Sequence, residues 1–324
     1  MKRIALIRMV GTYGVVIALA VLVLFGALRY DRFLSVFNVM SVLRYNAMFA
    51  LVSLGMCFVI MTGGIDLSVG TVAALGSVAA ALASPHGFLP ALGAGIGVGV
   101  AAGLINAILI TRAGLLPFIA TLCTMLAASG TALLLAHNTT VPVDYDSGIT
   151  VIGQGSWGKV PIPAIIAGVA YLAGIVVLNY TATGRTVLAV GGGEDATRLM
   201  GLRADRAKFI VYVVSGALAG LAGVILAAQF GAGQPTEGVG WELFAIASVV
   251  VGGTLLTGGS GSILSTLAGV LLLGILFNVL NFENGMGVFS LSAYWQNVVR
   301  GLFLLVVVLV QARLAGRRNA VQAA

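Results

Sequence analysis

Ten apolar runs, 15 to 23 residues long and nearly free of charge, follow one another along this chain. About 20 mostly apolar residues of α-helix cross a bilayer core, and lipid offers a spanning backbone no partners beyond its own helix or barrel. The runs lie at 10–28, 46–63, 66–84, 89–111, 115–136, 161–180, 209–230, 244–258, 261–281 and 295–312. They predict an all-α, polytopic transmembrane bundle of about ten spans, a single domain over 1–324. A soluble chain needs roughly a quarter of its residues charged; here the share is 8%, with a mean hydropathy of +1.10. Segment 33–45 is too mixed to span and reads as an amphipathic helix in the interface.

Charge orients the bundle. With the N-terminus in the cytoplasm, twelve of the 17 basic residues fall on inner segments and four (Arg29, Arg32, Arg44, Lys159) on outer ones, while Arg300 sits in the last span. The positive-inside rule therefore puts both termini in the cytoplasm. Lys2, Arg3 and Arg8 before the first run resemble a signal peptide, but Arg29-Tyr30-Asp31-Arg32 lacks a small-residue cleavage site, so the run is expected to stay as a span. The net charge of +7 forms no basic stripe, which argues against nucleic acid. Loop 181–208 is the one long inner connection, with five basic and three acidic residues.

Several motifs need weighing. Gly95, Gly99 and Gly103 recur every four residues and let a neighbouring backbone approach. Gly153-Gln154-Gly155-Ser156-Trp157-Gly158-Lys159 has phosphate-loop spacing but is followed by Val160, which cannot hold magnesium, so the chain is not expected to hydrolyse ATP. Cys57 and Cys123 lie inside apolar runs, and no metal cluster presents itself. Asp66, between the second and third runs, costs about 2.5–3.5 kcal/mol near a bilayer centre. It reads equally as a cap of the third span, accepting from the N–H of Ser68 or Val69, or as a gate or substrate contact. Asn106 reads as glue between helices or as a substrate contact.

The stretch Gly63-Gly64-Ile65-Asp66-Leu67-Ser68-Val69-Gly70 resembles the signature of ribose/xylose/galactose-type permeases of ATP-binding-cassette (ABC) importers. The likeness continues through Gly99, Gly103 and Asn106, and Leu116-Pro117-Phe118-Ile119-Ala120-Thr121. It returns at Thr183-Gly184-Arg185, at Trp241-Glu242-Leu243-Phe244, and at Val251-Gly252-Gly253-Thr254. Within the family, galactofuranose-type permeases look nearest. The resemblance implies a type II importer-like permease of the bacterial inner membrane that carries a monosaccharide and pairs with a second copy or a sister permease. It also implies an ABC ATPase subunit that binds ATP and Mg, and a periplasmic sugar-binding protein; no cofactor is expected in this chain. It places a coupling helix near 195–201, with Arg185, Asp195, Ala196, Met200 and Gly201 meeting the ATPase. Glu237 and Glu242 are expected outside, facing the binding protein. Phe244 stands where the family usually has an acid.

A sugar presents hydroxyls and no charge, so hydroxyls, amides and aromatic faces suffice to pass it. The expected path and gate residues are Asp66, Ser68, Asn106, Phe118, Thr121 and Asn278, with Thr124, Ser215 and Gln296 as further polar groups in the spans. Rival readings are a permease for a nucleoside, autoinducer or branched-chain amino acid, and an ion-coupled secondary transporter. The latter usually carries a working set of intramembrane acids, and Asp66 is the only acid expected within the spans.

Overall fold

The computed structural model describes residues 2–285, with side chains from residue 14 onward, and the isolated helical positions Trp295, Val298, Gly301, Leu302 and Leu305. Apart from those positions the expected tenth span, with Gln296 and Arg300, lies outside the described residues. Seven helices among the described residues are long and apolar enough to cross a membrane. Two more apolar helices are shorter, Gly14–Arg29 and Trp241–Val251.

The helices are α1 (Lys2–Arg29), α2 (Val36–Met61), α3 (Val69–Ala83), α4 (Phe88–Thr111), α5 (Pro117–Leu135), α6 (Thr150–Gln154), α7 (Ile162–Tyr180), α8 (Ala182–Gly192), α9 (Glu194–Leu199), α10 (Ala204–Phe230), α11 (Trp241–Val251) and α12 (Ile263–Gly285). The expected interfacial segment 33–45 is instead the first part of α2, which runs unbroken for 26 residues from a Ser35 cap. No glycine or proline falls between Val36 and Asn46 to end it.

α10 is the centre of the molecule and packs on α4, α3 and α2. The close approach of α10 to α4 is a glycine contact. A Cβ on Gly99 would strike the Gly216 carbonyl and Gly220, and one on Gly103 would strike the Tyr212 carbonyl. This is the four-residue stripe of the sequence meeting a matching stripe, Gly216 and Gly220, on its partner. Without side chains between them, the two backbones gain dispersion contact along their length, the main attraction available to helices in lipid.

The turns gather at two ends. At one, Gly259 N–H donates to the Met61 carbonyl at 3.0 Å, and Gly191 packs against Met61, Gly258 and Gly259; this is the α8–α9 end. At the other, Val141–Pro142 pairs antiparallel with Ala232–Gly233, and the two strands Ser156–Trp157 and Val160–Pro161 form a hairpin. Residues 153–160 thus end a short helix and make that hairpin, without the strand–loop–helix of a phosphate loop.

From the hairpin end, residues 231–240 turn back into the bundle. Gln234 N–H donates to Ser77 Oγ at 2.9 Å, and Gly238 meets the Gly70 carbonyl. At 1.5 Å per residue, Gly70 is ~20 Å along α3 from its end at Ala83. α11 therefore begins deep in the bundle, and its 11 residues give a half-length helix of ~16 Å. That corrects the expected span 244–258: the apolar run continues, but the helix stops at the Gly252-Gly253 turn, where Gly253 has φ +90°.

Candidate functional site

The helix break between α2 and α3 is closed by a polar network. α2 ends in a turn in which Gly63 takes φ +80°, a conformation that costs a residue with a Cβ. The chain then runs irregularly to α3. Asp66, 1% exposed, accepts from Ser68 N–H at 3.0 Å, Ser68 Oγ at 2.6 Å and Ser215 Oγ at 2.9 Å. Asn106 Nδ2 donates to Ser68 Oγ at 3.0 Å, and Thr124 Oγ1 donates to Asn106 Oδ1 at 2.6 Å. Leu67 N–H donates to Thr121 Oγ1 at 3.1 Å. Groups from α4, α5 and α10 therefore converge on the seven residues, 62–68, between α2 and α3. The Tyr212 hydroxyl, buried and without a hydrogen-bond partner, occupies the space a side chain on Gly64 would need.

Beneath this break, at the α8–α9 end, lies a cavity of about 400 Å³ lined by Gly63, Gly64, Pro117 and Tyr212 and by four charges. Arg198 pairs with Glu194 at 3.0 Å and with Asp205 at 2.6 Å, and Lys208 pairs with Glu194. Burial pushes the Glu194 carboxyl up, but hydrogen bonds from Lys208 and Arg198 outweigh it and hold the group below the ordinary glutamate range. The cluster fastens α9 to the first turns of α10. Leu199 and Met200 remain free on the surface, 90% and 66% exposed.

A second cavity, about 830 Å³, lies between α2, α11 and α12. One wall is aromatic. Phe49 lies 4.7 Å from Trp241 and 4.4 Å from Phe244 between ring centres, and Phe244 lies 5.9 Å from Phe277. Polar groups on the lining include Asn46, Asn278 and Glu237. Asn278 exchanges hydrogen bonds with Asn38 at 3.0 and 2.9 Å. The re-entrant residues Glu237, Val239 and Gly240 form part of the wall.

Placement of the expected residues divides them. Asp66, Ser68, Asn106 and Thr121 come together in the network and line neither cavity, whereas Asn278 lines the larger one. Phe118 stands on the surface of α5, 53% exposed, and lines neither. Arg185, Asp195, Ala196, Met200 and Gly201 are exposed on α8, α9 and the turn after it. Glu237 and Glu242, expected on an outer loop, sit instead at the depth of Gly70: Glu242 Oε2 would be 3.0 Å from a side chain there. They follow the re-entrant chain inward, so Asp66 is joined by two further acids within the bundle. Sequence reasoning missed Trp241 and Phe49 as cavity residues, Tyr212 beside the break, and Gly191 at the turn junction. The signal for Trp241 was an aromatic flanking a short apolar run; nothing local marked the others.

A family model described as "Branched-chain amino acid transport system / permease component" matches residues 38–308. The ribose import permease RbsC of Escherichia coli K12 is 38% identical over 299 residues, 91% of each chain. RbsC of Bacillus subtilis is 38% identical over 315 residues, 96% of each. The fructose import permease FruG of Bifidobacterium longum is 34% identical over 316 residues, 94% of this chain and 91% of its own. No solved structure matches. The order of motifs from residue 63 to 254, the all-helical membrane fold and these full-length likenesses agree, and the chain belongs to the family of ABC importer permeases that includes the simple-sugar permeases.

Proposed function

We propose that this chain carries a monosaccharide of the pentose or hexose class into the cytoplasm, through the cavity between α2, α11 and α12, as the permease subunit of an ATP-driven importer. The relatives named above are sugar permeases by name. The observation that carries the path is residues 231–240. Irregular backbone at membrane depth survives only where protein covers it or water reaches it, and this stretch lines the larger cavity with Glu237. A cleft that offers amides and a carboxylate beside an aromatic wall suits a polyol better than a zwitterion.

In this reading the bundle has about ten spans in the bacterial inner membrane, with both termini and the α8–α9 end in the cytoplasm. α9 and its exposed Leu199 and Met200, with Arg185, Asp195, Ala196 and Gly201, meet an ABC ATPase that holds ATP and Mg. A periplasmic sugar-binding protein docks at the hairpin end, and a second permease, identical or paralogous, completes the path. The test is reconstitution with the ATPase and binding protein in liposomes. Uptake of labelled ribose, arabinose or fructose that requires ATP supports the reading. Uptake that proceeds without ATP and collapses with an ionophore sinks it, and the acids at depth, Asp66, Glu237 and Glu242, then become the coupling candidates.

A further inference from the structure

We infer that the larger cavity does more than let a sugar pass: it is a sugar-binding site in its own right, with the Phe49–Trp241–Phe244 wall as its stacking shelf. The inference rests on the function proposed above and adds recognition to it. A monosaccharide is amphipathic, with C–H bonds on its ring faces and hydroxyls around its rim. The cavity has the same division. Phe49 packs within 4.7 Å of Trp241 and 4.4 Å of Phe244, and both partners are nearly buried, at 8% and 9% exposed, so the wall is rigid before any ligand arrives. Amide and carboxylate groups of Asn46, Asn278 and Glu237 lie on the same lining. A bidirectional pair such as Asn278 with Asn38 can exchange one of its hydrogen bonds for a sugar hydroxyl, because an amide both donates and accepts.

Two other accounts of the cavity fit less well. An acyl chain filling it would have no use for two amides and a carboxylate, which cost free energy against hydrocarbon. A zwitterionic amino acid would bring its carboxylate onto a lining that already carries the acid Glu237. The volume, about 830 Å³, lies within the roughly 300–1,000 Å³ range of small-molecule sites. It leaves room for the sugar together with water.

Trp241 provides the probe. Trp157 and Trp295 are 80% and 58% exposed and are replaced by phenylalanine, leaving Trp241 as the one tryptophan. The full chain, assembled with its ATPase in lipid nanodiscs without binding protein, is titrated with D-ribose, L-arabinose, D-fructose and L-leucine while Trp241 emission is followed. A saturable change with at least one sugar and none with leucine is expected. Phe49→Leu should raise the half-saturating concentration about tenfold through lost stacking, and Asn278→Leu about fivefold through one lost hydrogen bond. The unfolding midpoint of each variant is recorded to separate misfolding from lost binding. No saturable change with any sugar, in a complex that still takes up that sugar on ATP once binding protein is added, overturns the site and leaves the permease reading intact. A response to leucine in place of sugar overturns the assigned chemistry. A complex that takes up none of the three sugars on ATP removes the proposed function, and this site with it.

Discussion

Asp66 owes its tolerance in an apolar bundle to three donors that reach it from two directions. Ser68 supplies its own N–H and hydroxyl, and Ser215 supplies a hydroxyl from α10. Asp66→Ala leaves these donors buried without an acceptor, at about 1–3 kcal/mol for each that finds no substitute. Asp66→Asn keeps one carbonyl oxygen for Ser68 and offers its amide to Ser215, whose hydroxyl can turn to accept. Thermal unfolding in detergent should therefore rank wild type above Asp66→Asn and both above Asp66→Ala, with the alanine variant losing about 2 kcal/mol or more. Equal midpoints for the three would mean that the network does not hold the break. The need for partners was legible in the sequence, since a lone acid between two apolar runs has to find them, and the bond from Ser68 N–H followed from spacing; the expected cap did not form, because α3 starts at Val69 with Ser68 as its N-cap and no side chain capping it. Ser215 was not legible, because 149 residues separate it from Asp66 and only the packing of α10 brings it near.

Among whole elements, the α4–α10 contact is the most demanding, because it is made by backbone on both sides. A Cβ at Gly99 meets the Gly216 carbonyl and lies 2.8 Å from Gly220 Cα, whereas one at Gly97 on the opposite face meets nothing within 4 Å. Gly99→Val should lower the detergent unfolding midpoint sharply or abolish expression, and Gly97→Ala should leave it unchanged or raise it slightly, since alanine is the better helix former. α9 makes a different kind of contact. Its hold on α10 is ionic, and Glu194 titrates below the usual glutamate range because Lys208 and Arg198 favour its charged form over the cost of burial. With the folded value depressed, the stabilisation is complete above the unfolded glutamate value, near 4.5, and is lost as pH falls through the lower folded value. A spin label at Leu199→Cys should report an ordered α9 backbone at neutral pH and gain mobility on acidification through that window. In Glu194→Gln the label should already show that higher mobility at neutral pH, with the acid step gone. The long helices were readable as elements because their apolar runs match a bilayer's thickness. The half-length of α11 was not: Leu255 and Leu256 continue the apolar run beyond the helix, and hydropathy does not register that residues 231–240 have already carried the chain inward.

On the scale of the molecule, the two helix breaks and the α8–α9 arm form one mechanical unit. The turn after α2 leads into the Asp66 network, the turn after α11 leads into α12 and the wall of the larger cavity, and both rest on Gly191 at the end of α8. Gly259 N–H reaches the Met61 carbonyl at 3.0 Å, and a side chain on Gly191 would intrude on Met61 and Gly259 at once. Packed elements of this kind shift between discrete arrangements and do not stretch, so a force on α9 has a direct route to both breaks only while the three backbones stay in register. Gly191→Val should wedge them apart. In the complex reconstituted with its ATPase and binding protein, sugar uptake should fall about tenfold or more, equivalent to ~1.4 kcal/mol in a rate-limiting step, while ATP hydrolysis persists. Gly192→Ala places its Cβ in open space and should retain normal uptake, which separates a wedge at the junction from a general intolerance of side chains in this turn. If Gly191→Val loses hydrolysis and uptake in equal measure, the junction supports assembly of the complex and does not transmit motion. If both variants transport normally, the movement that opens the larger cavity bypasses α8 and must enter through α10, the other helix that the ion pairs of α9 grip.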